Sequence, residues 1–523
     1  MAVQTSYPGV YVNEVQSGVR TVAGVSTSVT GIVGRFLRGP VNEPVSCFSF
    51  GEFSRRFGGL ALNTPAAYAV DDFYANGGSE ALVVRLFKAG ADDGMARLAL
   101  SGLKLVAASP GSWGGKLQAQ VSYPNAAAAK AYVELHPELG LAVADLFDLL
   151  VFDQGTKARE QFRNLTVKDA GSRRVDRVLK AESNLVRLDL KGDGTPDLPG
   201  ARPAEGALTD FQGGNDGALL SPAEYKGNKV TKTGVHALLK ADIFNLLVIP
   251  PDTRDGDIDP DVWEAAAGFC SERRAFLIVD PPAKWDANPD NAIQVTVDAA
   301  SNTPPLSLTN GGNAGLFFPR LQRRDPLRGG QIDYFVPGGA IAGIMARTDA
   351  NRGVWKAPAG IEATISGADG LTFKMTDDEN GKLNPLGVNC LRSFPNVGRV
   401  VWGARTMRGS DQLADDYKYI PVRRLALFIE ESLFRGTKWV VFSPNDEPLW
   451  SQIRLNVGAF MQRLFRQGAF QGASPRQAYF VKCDRETTTQ DDINRGIVNI
   501  AVGFAPLLPA EFVVINIQQI REA

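Results

Sequence analysis

The sequence predicts a multidomain protein that combines α/β and α+β domains, and three observations lead to this fold class. The chain has 523 residues, which at about 150 residues per domain corresponds to three or four domains. Its 54 glycines and 31 prolines exceed the usual combined share of about 12%, which favours turns and strand ends over long helical bundles. Continuous apolar strands that flank a single helix predict a parallel sheet in the middle of the chain.

Residues 1–23 are predicted to form an N-terminal arm rather than part of a core. Pro8 and Gly9 precede a short segment of β-branched and aromatic side chains, residues 10–15, that has strand character. The polar residues 16–20 that follow are typical of a flexible connection. A strand isolated in this way needs a partner sheet elsewhere.

Residues 24–95 are predicted to form the first part of the core. From Gly24 onward, apolar positions alternate with small or polar ones, which predicts a strand that ends near residues 38–40. A helix is predicted over residues 64–76 and an apolar strand over residues 81–87. The order is therefore strand, helix, strand.

Residues 96–210 differ in composition from the segments on either side. They are rich in Ala, Gly and Asp and contain short alternating runs such as residues 185–190, followed by the turn-rich residues 191–200. This pattern predicts an inserted β-rich domain.

Residues 211–410 are predicted to form an α/β domain. Residues 244–249 make a continuous apolar strand, residues 260–274 an amphipathic helix, and residues 275–279 a second apolar strand. Apolar strands on both sides of one helix predict a βαβ unit in a parallel sheet that is covered on both faces.

Residues 411–510 are predicted to form an α+β domain. A helix over residues 422–435 is followed by Gly436 in the place of a C-cap glycine, and residues 438–442 are predicted to be a strand. Asn445 is placed to cap a second helix, whose first turn accommodates Pro448. One apolar stripe of this helix consists of Leu449, Ile453, Val457, Phe460 and Leu464.

The other faces of the second helix carry Arg454, Arg463 and Arg466, and residues 451–467 contain no acidic side chain. We therefore expect a cationic surface helix. Beyond it, a strand is predicted from an alternation of apolar residues: Val498, Ile500, Val502 and Phe504.

Two prolines, Pro506 and Pro509, end that strand. An apolar run follows within residues 511–520. Residues 511–523 are therefore predicted to form a separate C-terminal strand.

Composition and charge argue against several classes of function. With 56 basic and 57 acidic residues the net charge is −1, so the chain as a whole has no positive field to attract nucleic acid or an anionic membrane. No apolar run approaches 18 residues, and the N-terminus lacks the pattern of a signal peptide. The chain is expected to be made in a reducing cytoplasm, and its four widely spaced cysteines are expected to be free thiols.

Few residues suggest catalysis. Only two histidines occur, His136 and His236, so zinc signatures with paired histidines are absent. A Ser-His-Asp hydrolase would depend on His236, but no GxSxG motif accompanies it. We expect His236 on a helix without a catalytic partner. Both Gly-Lys pairs are followed by leucine, which excludes a P-loop, and the glycine-rich residues 211–217 are interpreted as a turn.

One acidic cluster permits two interpretations. Asp255, Asp257, Asp259 and Asp261 alternate along one segment, and carboxylates from one loop can bind calcium. The glycine and terminal glutamate spacing of an EF-hand is missing. The aspartates directly precede the predicted helix, where negative charge stabilises the N-terminus. We favour this second interpretation and expect no metal site.

Short motifs, each weak alone, occur in order over almost the whole chain. They are residues 7–12 (YPGVYV), 39–44, 57–59, 72–78, 83–85, 213–217, 336–344, 347–349, 353–358, 439–448 (WVVFSPNDEP), 479–481 and 499–517. In these motifs the chain resembles the tail sheath proteins of contractile phage tails and related contractile injection systems. Residues 96–210 carry little of the pattern, as is expected of the variable outer insertions of such proteins.

The resemblance implies a structural polymer protein and not an enzyme. It implies hexameric rings that stack around a rigid inner tube and contract to drive the tube through a target envelope. The implied partners are further copies of the chain, the inner tube protein, and baseplate and tail terminator or cap proteins, without cofactor, nucleic acid or membrane insertion. The middle domain is expected to be subtilisin-like without a catalytic site, which is a statement about fold alone.

The resemblance further implies that terminal strands leave their own subunit and complete the sheets of neighbours. The expected linking residues are Val10, Tyr11, Val12 and Val15 in the N-terminal arm, and Phe512, Val514, Ile515 and Ile517 in the C-terminal strand. Gly18 and Gly24 are expected to act as hinges.

In this family a helix of the C-terminal domain faces the tube, so Arg454, Arg463 and Arg466 are expected to contact it. The alternative is that these arginines only solvate an outer face. Two other functions stay open: a subtilisin-like hydrolase, for which motifs are missing, and a binding module whose strands attach to a foreign ligand. Phage tail, bacteriocin and extracellular injection system are not distinguished.

Overall fold

The computed structural model describes residues 21–169, 171–285 and 308–515. Its strands are β1 (Thr30–Arg35), β2 (Val45–Cys47), β3 (Ala81–Leu86), β4 (Ala96–Leu100), β5 (Leu103–Ala107), β6 (Leu117–Ser122), β7 (Phe147–Asp153), β8 (Arg159–Leu165), β9 (Val186–Leu188), β10 (Thr209–Asp210), β11 (Gln212–Gly213), β12 (Leu246–Val248), β13 (Phe276–Val279), β14 (Ala314–Phe318), β15 (Leu321–Asp325), β16 (Gln331–Phe335), β17 (Gly370–Leu371), β18 (Val388–Phe394), β19 (Gly398–Val401), β20 (Tyr479–Lys482) and β21 (Ala501–Phe504). Its α-helices are α1 (Phe50–Phe57), α2 (Pro65–Ala75), α3 (Ala126–Leu135), α4 (Val175–Glu182), α5 (Pro222–Lys226), α6 (Pro260–Arg273), α7 (Gly338–Arg352), α8 (Asp377–Leu383), α9 (Ile420–Gly436), α10 (Glu447–Arg466), α11 (Pro475–Ala478) and α12 (Gln490–Asn494).

An eight-stranded sheet forms the centre of the molecule, in the order β19-β18-β14-β13-β12-β1-β3-β2. The six inner strands run parallel, and the two edge strands are antiparallel to their neighbours. The predicted βαβ unit is confirmed, because β12 and β13 pair in parallel and α6 connects them. The predicted strand, helix and strand in residues 24–95 are β1, α2 and β3, and they join the same sheet.

Both faces of this sheet are buried. Successive side chains of a strand point to opposite sides, so neighbouring residues of one strand lie in different hydrophobic clusters. Leu247 of β12 lies in the hydrophobic cluster on the α6 side, whereas Leu246 and Val248 lie in the cluster formed with α2 and α7. The α2 and α7 helices pack closely: a Cβ atom on Gly339 would lie 2.1 Å from the Ala69 carbonyl oxygen. The glycine-rich motif of residues 336–344 is therefore a helix contact.

Between β3 and β12 the chain forms two antiparallel four-stranded sheets, β10-β6-β7-β8 and β11-β4-β5-β9. They share a hydrophobic cluster of their own, which includes Leu105, Val121 and Leu149. The alternating residues 185–190 contain the short strand β9. The region predicted to be β-rich thus has a core separate from those of the central sheet.

The C-terminal part packs α9, α10 and the two-stranded sheet β20-β21 around a fourth cluster. The predicted apolar stripe of α10 is confirmed, since all five of its residues are buried. The predicted cap is wrong: the side chain of Asp446 accepts the Leu449 amide at 3.0 Å. Asn445 instead accepts a hydrogen bond from the Trp450 indole at 2.8 Å.

The strand predicted at residues 438–442 is also wrong. Residues Lys438–Val440 form a 3₁₀ helix, and Val441 and Phe442 are exposed beyond it. A short apolar run has no periodicity that separates a strand from other buried or half-buried structure. Gly436 is not a C-cap either, because it is the last residue of α9 and Thr437 follows as the cap.

The acidic segment before α6 matches the helix-capping interpretation. Asp259 caps α6 by accepting the amide of Asp261 at 2.8 Å, and Asp257 accepts hydrogen bonds from Arg320 at 2.8 Å and from the Ala283 amide at 2.6 Å. His236 lies on a helix as predicted, and this helix, Gly234–Lys240, is of the 3₁₀ type. All four cysteines are buried free thiols, as predicted. Within the described ranges no helix is long and apolar enough to cross a membrane.

Candidate strand-linking site

Residues 512–515 of the predicted C-terminal strand are four exposed apolar side chains, and the structure assigns no secondary structure to them. Their exposed fractions lie between 75% and 82%, and the segment pairs with no strand in the part of the chain that the structure describes. Three of the predicted linking residues, Phe512, Val514 and Ile515, are among them, and Ile517 lies outside the described residues. A contiguous exposed apolar run is typical of a surface that is covered by a partner.

Directly before this run, Glu511 anchors the chain to a buried arginine. The two carboxylate oxygens of Glu511 accept hydrogen bonds from Nε and Nη2 of Arg405 at 2.8 and 2.6 Å, and Oε2 also accepts one from the Tyr419 hydroxyl at 3.2 Å. The Arg405 side chain is only 1% exposed. Two parallel charge-assisted hydrogen bonds fix both the position and the orientation of a carboxylate.

Arg405 is held by several further groups. Its Nη1 donates to Asp411 at 2.9 Å and to the Gly409 carbonyl at 3.2 Å, and its backbone amide donates to the Asn389 side chain at 2.6 Å. Burial alone would lower the pKa of Arg405, but its bonds to Glu511 and the nearby acidic charges outweigh burial and raise that pKa. The guanidinium is therefore a charged, fixed anchor.

The N-terminal arm is rooted on α9 and α10 at Val22. The Val22 side chain is buried and lies against Gly436, where a Cβ atom would be 2.6 Å from a Val22 methyl group. The Val22 carbonyl accepts a hydrogen bond from Nη2 of Arg463 at 2.8 Å. Glycine is thus required at position 436 by close packing and not by its backbone conformation.

The next residues continue along α9 toward β1. The Val25 amide donates to the Ser432 hydroxyl at 3.2 Å, and the predicted hinge Gly24 lies against the ring of Phe428, 3.0 Å from its ideal Cβ position. A hinge at Gly24 stays a prediction, and it would have to leave this contact. Val10, Tyr11, Val12, Val15 and Gly18 lie outside the described residues.

The sheet β20-β21 has the unpaired edges that an added strand needs. It has only two strands, so each strand has an unpaired edge within the described part of the chain. Phe480 of β20 is opposite Gly503, and its ring covers the Gly503 backbone while remaining about half exposed. An open edge with exposed aromatic area is suited to strand addition.

The three arginines of α10 differ in their surroundings. Arg454 bonds to Glu447 at 2.5 Å and to the Cys483 carbonyl, and Arg463 holds the Val22 carbonyl. Arg466 is exposed at the end of the helix, and its charge acts on the nearby Tyr479. The sequence treated the three as equivalent, but two of them have structural partners.

Groups with catalytic or metal-binding potential are scattered. Burial lowers the pKa of His236, whose ring packs edge-on against Phe269 at 4.9 Å. The other histidine, His136, bonds to Glu138 at 3.0 Å on the surface. Among the described residues, no three His, Cys, Asp or Glu side chains lie close enough to hold a metal ion.

Asp280, at the carboxyl end of β13, is a buried acid with a shifted pKa. Burial raises its pKa from 3.8 to about 7, although its Oδ1 accepts the Gly338 amide at 2.8 Å. The folded protein therefore holds this proton more tightly than the unfolded chain. As a result, the contribution of Asp280 to the free energy of unfolding falls as the pH rises from about 4 to about 7, and it does not change further above about pH 7.

We expect Asp280→Asn to remove this pH dependence. The difference in melting temperature, variant minus wild type, should become more positive between pH 5 and pH 8, because only the wild type must bury a carboxylate. Thermal unfolding at both pH values measures it, with Asp416→Asn as an exposed control. A difference that does not change with pH would contradict the assignment.

Sequence reasoning missed the two anchors of the terminal segments. No sequence pattern marks Arg405 or Val22 as a site residue, and Glu511 stands out only as part of a longer motif. The pairs Arg405–Glu511 and Val22–Arg463 join residues far apart in the chain. Gly436 is a local signal, but its position after a helix predicts a C-cap and not the contact with Val22.

Two family models match the chain. Residues 235–407 match the phage tail sheath protein central domain, and residues 413–520 match the phage tail sheath C-terminal domain. Together they cover more than half of the chain.

Relatives and solved structures agree with these matches. The tail sheath protein of Vibrio phage KVP40 is 25% identical over 179 residues, which are 34% of this chain and 25% of the relative. A putative prophage major tail sheath protein of Pseudomonas aeruginosa is 26% identical over 292 residues, which are 54% of this chain and 67% of the relative.

Among solved structures, the extracellular contractile injection system PVC sheath in its contracted state has a TM-score of 0.56 at 19% identity, covering 99% of both chains. The contracted helical sheath of the anti-feeding prophage has a TM-score of 0.55 at 22% identity, covering 98% of this chain and 99% of that one. A sheath tail protein from Listeria innocua has a TM-score of 0.60 at 13% identity, covering 93% and 96%. These structures share the mixed α/β multidomain fold. The chain therefore belongs to the phage tail sheath protein family.

Proposed function

We propose that the chain polymerises as stacked hexameric rings around an inner tube, linked by its terminal strands, and that contraction of this sheath drives the tube through a target envelope. One observation carries the proposal. Residues 512–515 are apolar and exposed next to a fixed anchor, while the same fold contains a two-stranded sheet with open edges. A second copy of the chain would supply a sheet edge for residues 512–515 and an additional strand for the two-stranded sheet.

Strand addition suits a polymer whose subunits must move without separating. Main-chain hydrogen bonds form whatever the side chains are, and alternate side chains set the register. Contacts elsewhere can then change while the strand stays paired. Contraction needs no nucleotide in this mechanism, since free energy stored during assembly is released when a kinetic barrier is removed at the baseplate.

The proposed organisation has six parts. Linking arms lie at residues 1–23 and 511–523, the core at 24–95 and 211–410, a β-rich outer domain at 96–210, and a tube-facing α+β domain at 411–510. The parallel sheet covered by helices on both faces supports a subtilisin-like fold for the core, without implying catalysis. Baseplate and terminator or cap proteins would hold the two ends of the sheath, in a phage tail or another contractile particle.

Electron microscopy of the purified protein tests the proposal. Tubes or stacked rings of uniform diameter are expected, alone or with the co-expressed inner tube protein. A chain that stays monomeric under all these conditions would contradict it, and turnover of a fluorogenic peptide or ester would favour the hydrolase instead.

The tube contact is assigned to the exposed end of α10. A sheath must hold its tube before contraction and release it afterwards, which suits surface ion pairs that contribute about 0–1 kcal/mol each and repeat in every ring. Arg466 is the best placed of the three arginines, because Arg463 and Arg454 bond within their own subunit.

We expect Arg466→Glu to give sheaths that assemble poorly on tubes or are contracted and empty, with an unchanged melting temperature. Arg476→Glu, which reverses an exposed charge outside α10, is the matched control. Arg463→Glu should instead lower stability, because it removes the donor to the Val22 carbonyl. Extended, tube-filled sheaths from Arg466→Glu would move the tube contact elsewhere.

A further inference from the structure

Glu511 is the last anchored residue before the exposed residues 512–515. It is bound to a different part of the molecule from the sheet β20-β21, which precedes it in the chain. Pro506 still forms a bridge with Phe470 beside β20-β21. Glu511, shortly after it, is bound to Arg405 in the segment between β19 and α9. The chain is therefore led away from its own two-stranded sheet before residues 512–515 begin.

We propose that Arg405, Tyr419 and Glu511 form a clamp that fixes the exit direction of the C-terminal strand and presents it to a second copy of the chain. This inference rests on the proposed linking of subunits by that strand. Ordering a flexible backbone when it binds costs conformational entropy. A strand whose first residue is already held requires less ordering when it binds, and so binds more tightly.

The contacts of Arg405 indicate that the clamp serves the strand rather than the fold. Without Glu511, the guanidinium would keep Asp411 and the Gly409 carbonyl as partners, and Asn389 would still hold the backbone. The buried charge would therefore remain paired. What Glu511 adds is a fixed origin for residues 512–515, and the clamp also keeps that origin away from the open edges of its own subunit.

The mobility of the strand in the monomer tests the clamp directly. All four native cysteines are buried, so a spin label on Val513→Cys can be introduced selectively at an exposed position. Glu511→Gln removes the charge and one acceptor oxygen at the same size. We expect the label to become several-fold more mobile in this variant, while a label on Val230→Cys, which is exposed elsewhere, does not change.

Assembly of the unlabelled variants tests what the clamp is for. Glu511→Gln should raise the protein concentration needed for sheath assembly about tenfold, equivalent to about 1.4 kcal/mol, at nearly the same melting temperature. Glu511→Asp keeps the charge, so the concentration that it needs for assembly should lie between those of Glu511→Gln and the wild type.

Three results would count against the clamp or its role. Unchanged label mobility in Glu511→Gln would overturn the clamp, and increased mobility with normal assembly would overturn its positioning role. If the melting temperature of Glu511→Gln falls together with its assembly, Glu511 is a structural residue only. A wild-type chain that never assembles would overturn the proposed function alone, since label mobility reports the clamp in the monomer.

Discussion

Removing residues 512–523 should leave a folded, soluble chain that no longer polymerises. The cut falls just after Glu511, so the bidentate bond to Arg405 is kept. The side chains lost at residues 512–515 are exposed and belong to none of the hydrophobic clusters, so their removal costs the monomer little. Electron microscopy should show no tubes, and the melting temperature should equal that of the wild-type monomer.

Removing residues 1–20 should have the same result. This cut spares Val22, whose burial against Gly436 and bond to Arg463 root the arm. A shorter deletion within 96–210, at the exposed turn of residues 191–194, is the control and should still assemble. Extended sheaths of normal length from either terminal truncation would show that the missing strand is not a link.

The elements that the sequence predicted correctly are those whose burial follows a local pattern. The strands β12 and β13 are continuous apolar runs buried on both faces of the sheet, and the stripe of α10 contacts its core through residues about 3.6 positions apart. Such a pattern is visible in one segment without knowledge of its neighbours. The parallel arrangement followed because one helix connects two buried strands.

The anchors could not be predicted in this way, because each depends on a partner far away in the chain. In the sequence, Gly436 follows a periodic helix and so resembles a C-cap. Its small size instead makes room for Val22, which lies in the predicted N-terminal arm. Arg463 looked like a free surface charge, since sequence patterns show only neighbours within a helical turn. The apolar residues 438–442 offered no period at all, and the structure leaves Phe442 exposed.

A buried ion pair between α7 and α9 also holds the segment between the N-terminal arm and β1. Nη2 of Arg424 in α9 bonds to Asp349 of α7 at 2.6 Å and to the Thr27 carbonyl at 2.9 Å. The side chains are 4% and 3% exposed. Burial raises the pKa of Asp349, although the charge of Arg424 opposes this. The motif at residues 347–349 thus has a structural explanation.

We expect Asp349→Asn to lower the free energy of unfolding by about 3–5 kcal/mol, because it leaves the guanidinium of Arg424 buried without a counter-charge. Denaturant unfolding measures this loss. Glu362→Gln, which breaks the exposed pair with Arg352, should cost only about 0–1 kcal/mol.

Replacing both partners distinguishes the loss of the ion pair from the cost of leaving one charge buried and unpaired. The double variant Asp349→Leu with Arg424→Met contains no buried charge, and apolar replacements of buried pairs are often neutral or stabilising. It should therefore recover most of the stability lost in Asp349→Asn, less the bond to the Thr27 carbonyl. Because that bond holds the segment between the N-terminal arm and β1, sheath assembly should recover less completely than stability. A double variant less stable than the single one would show that the charges themselves hold α7 and α9 together.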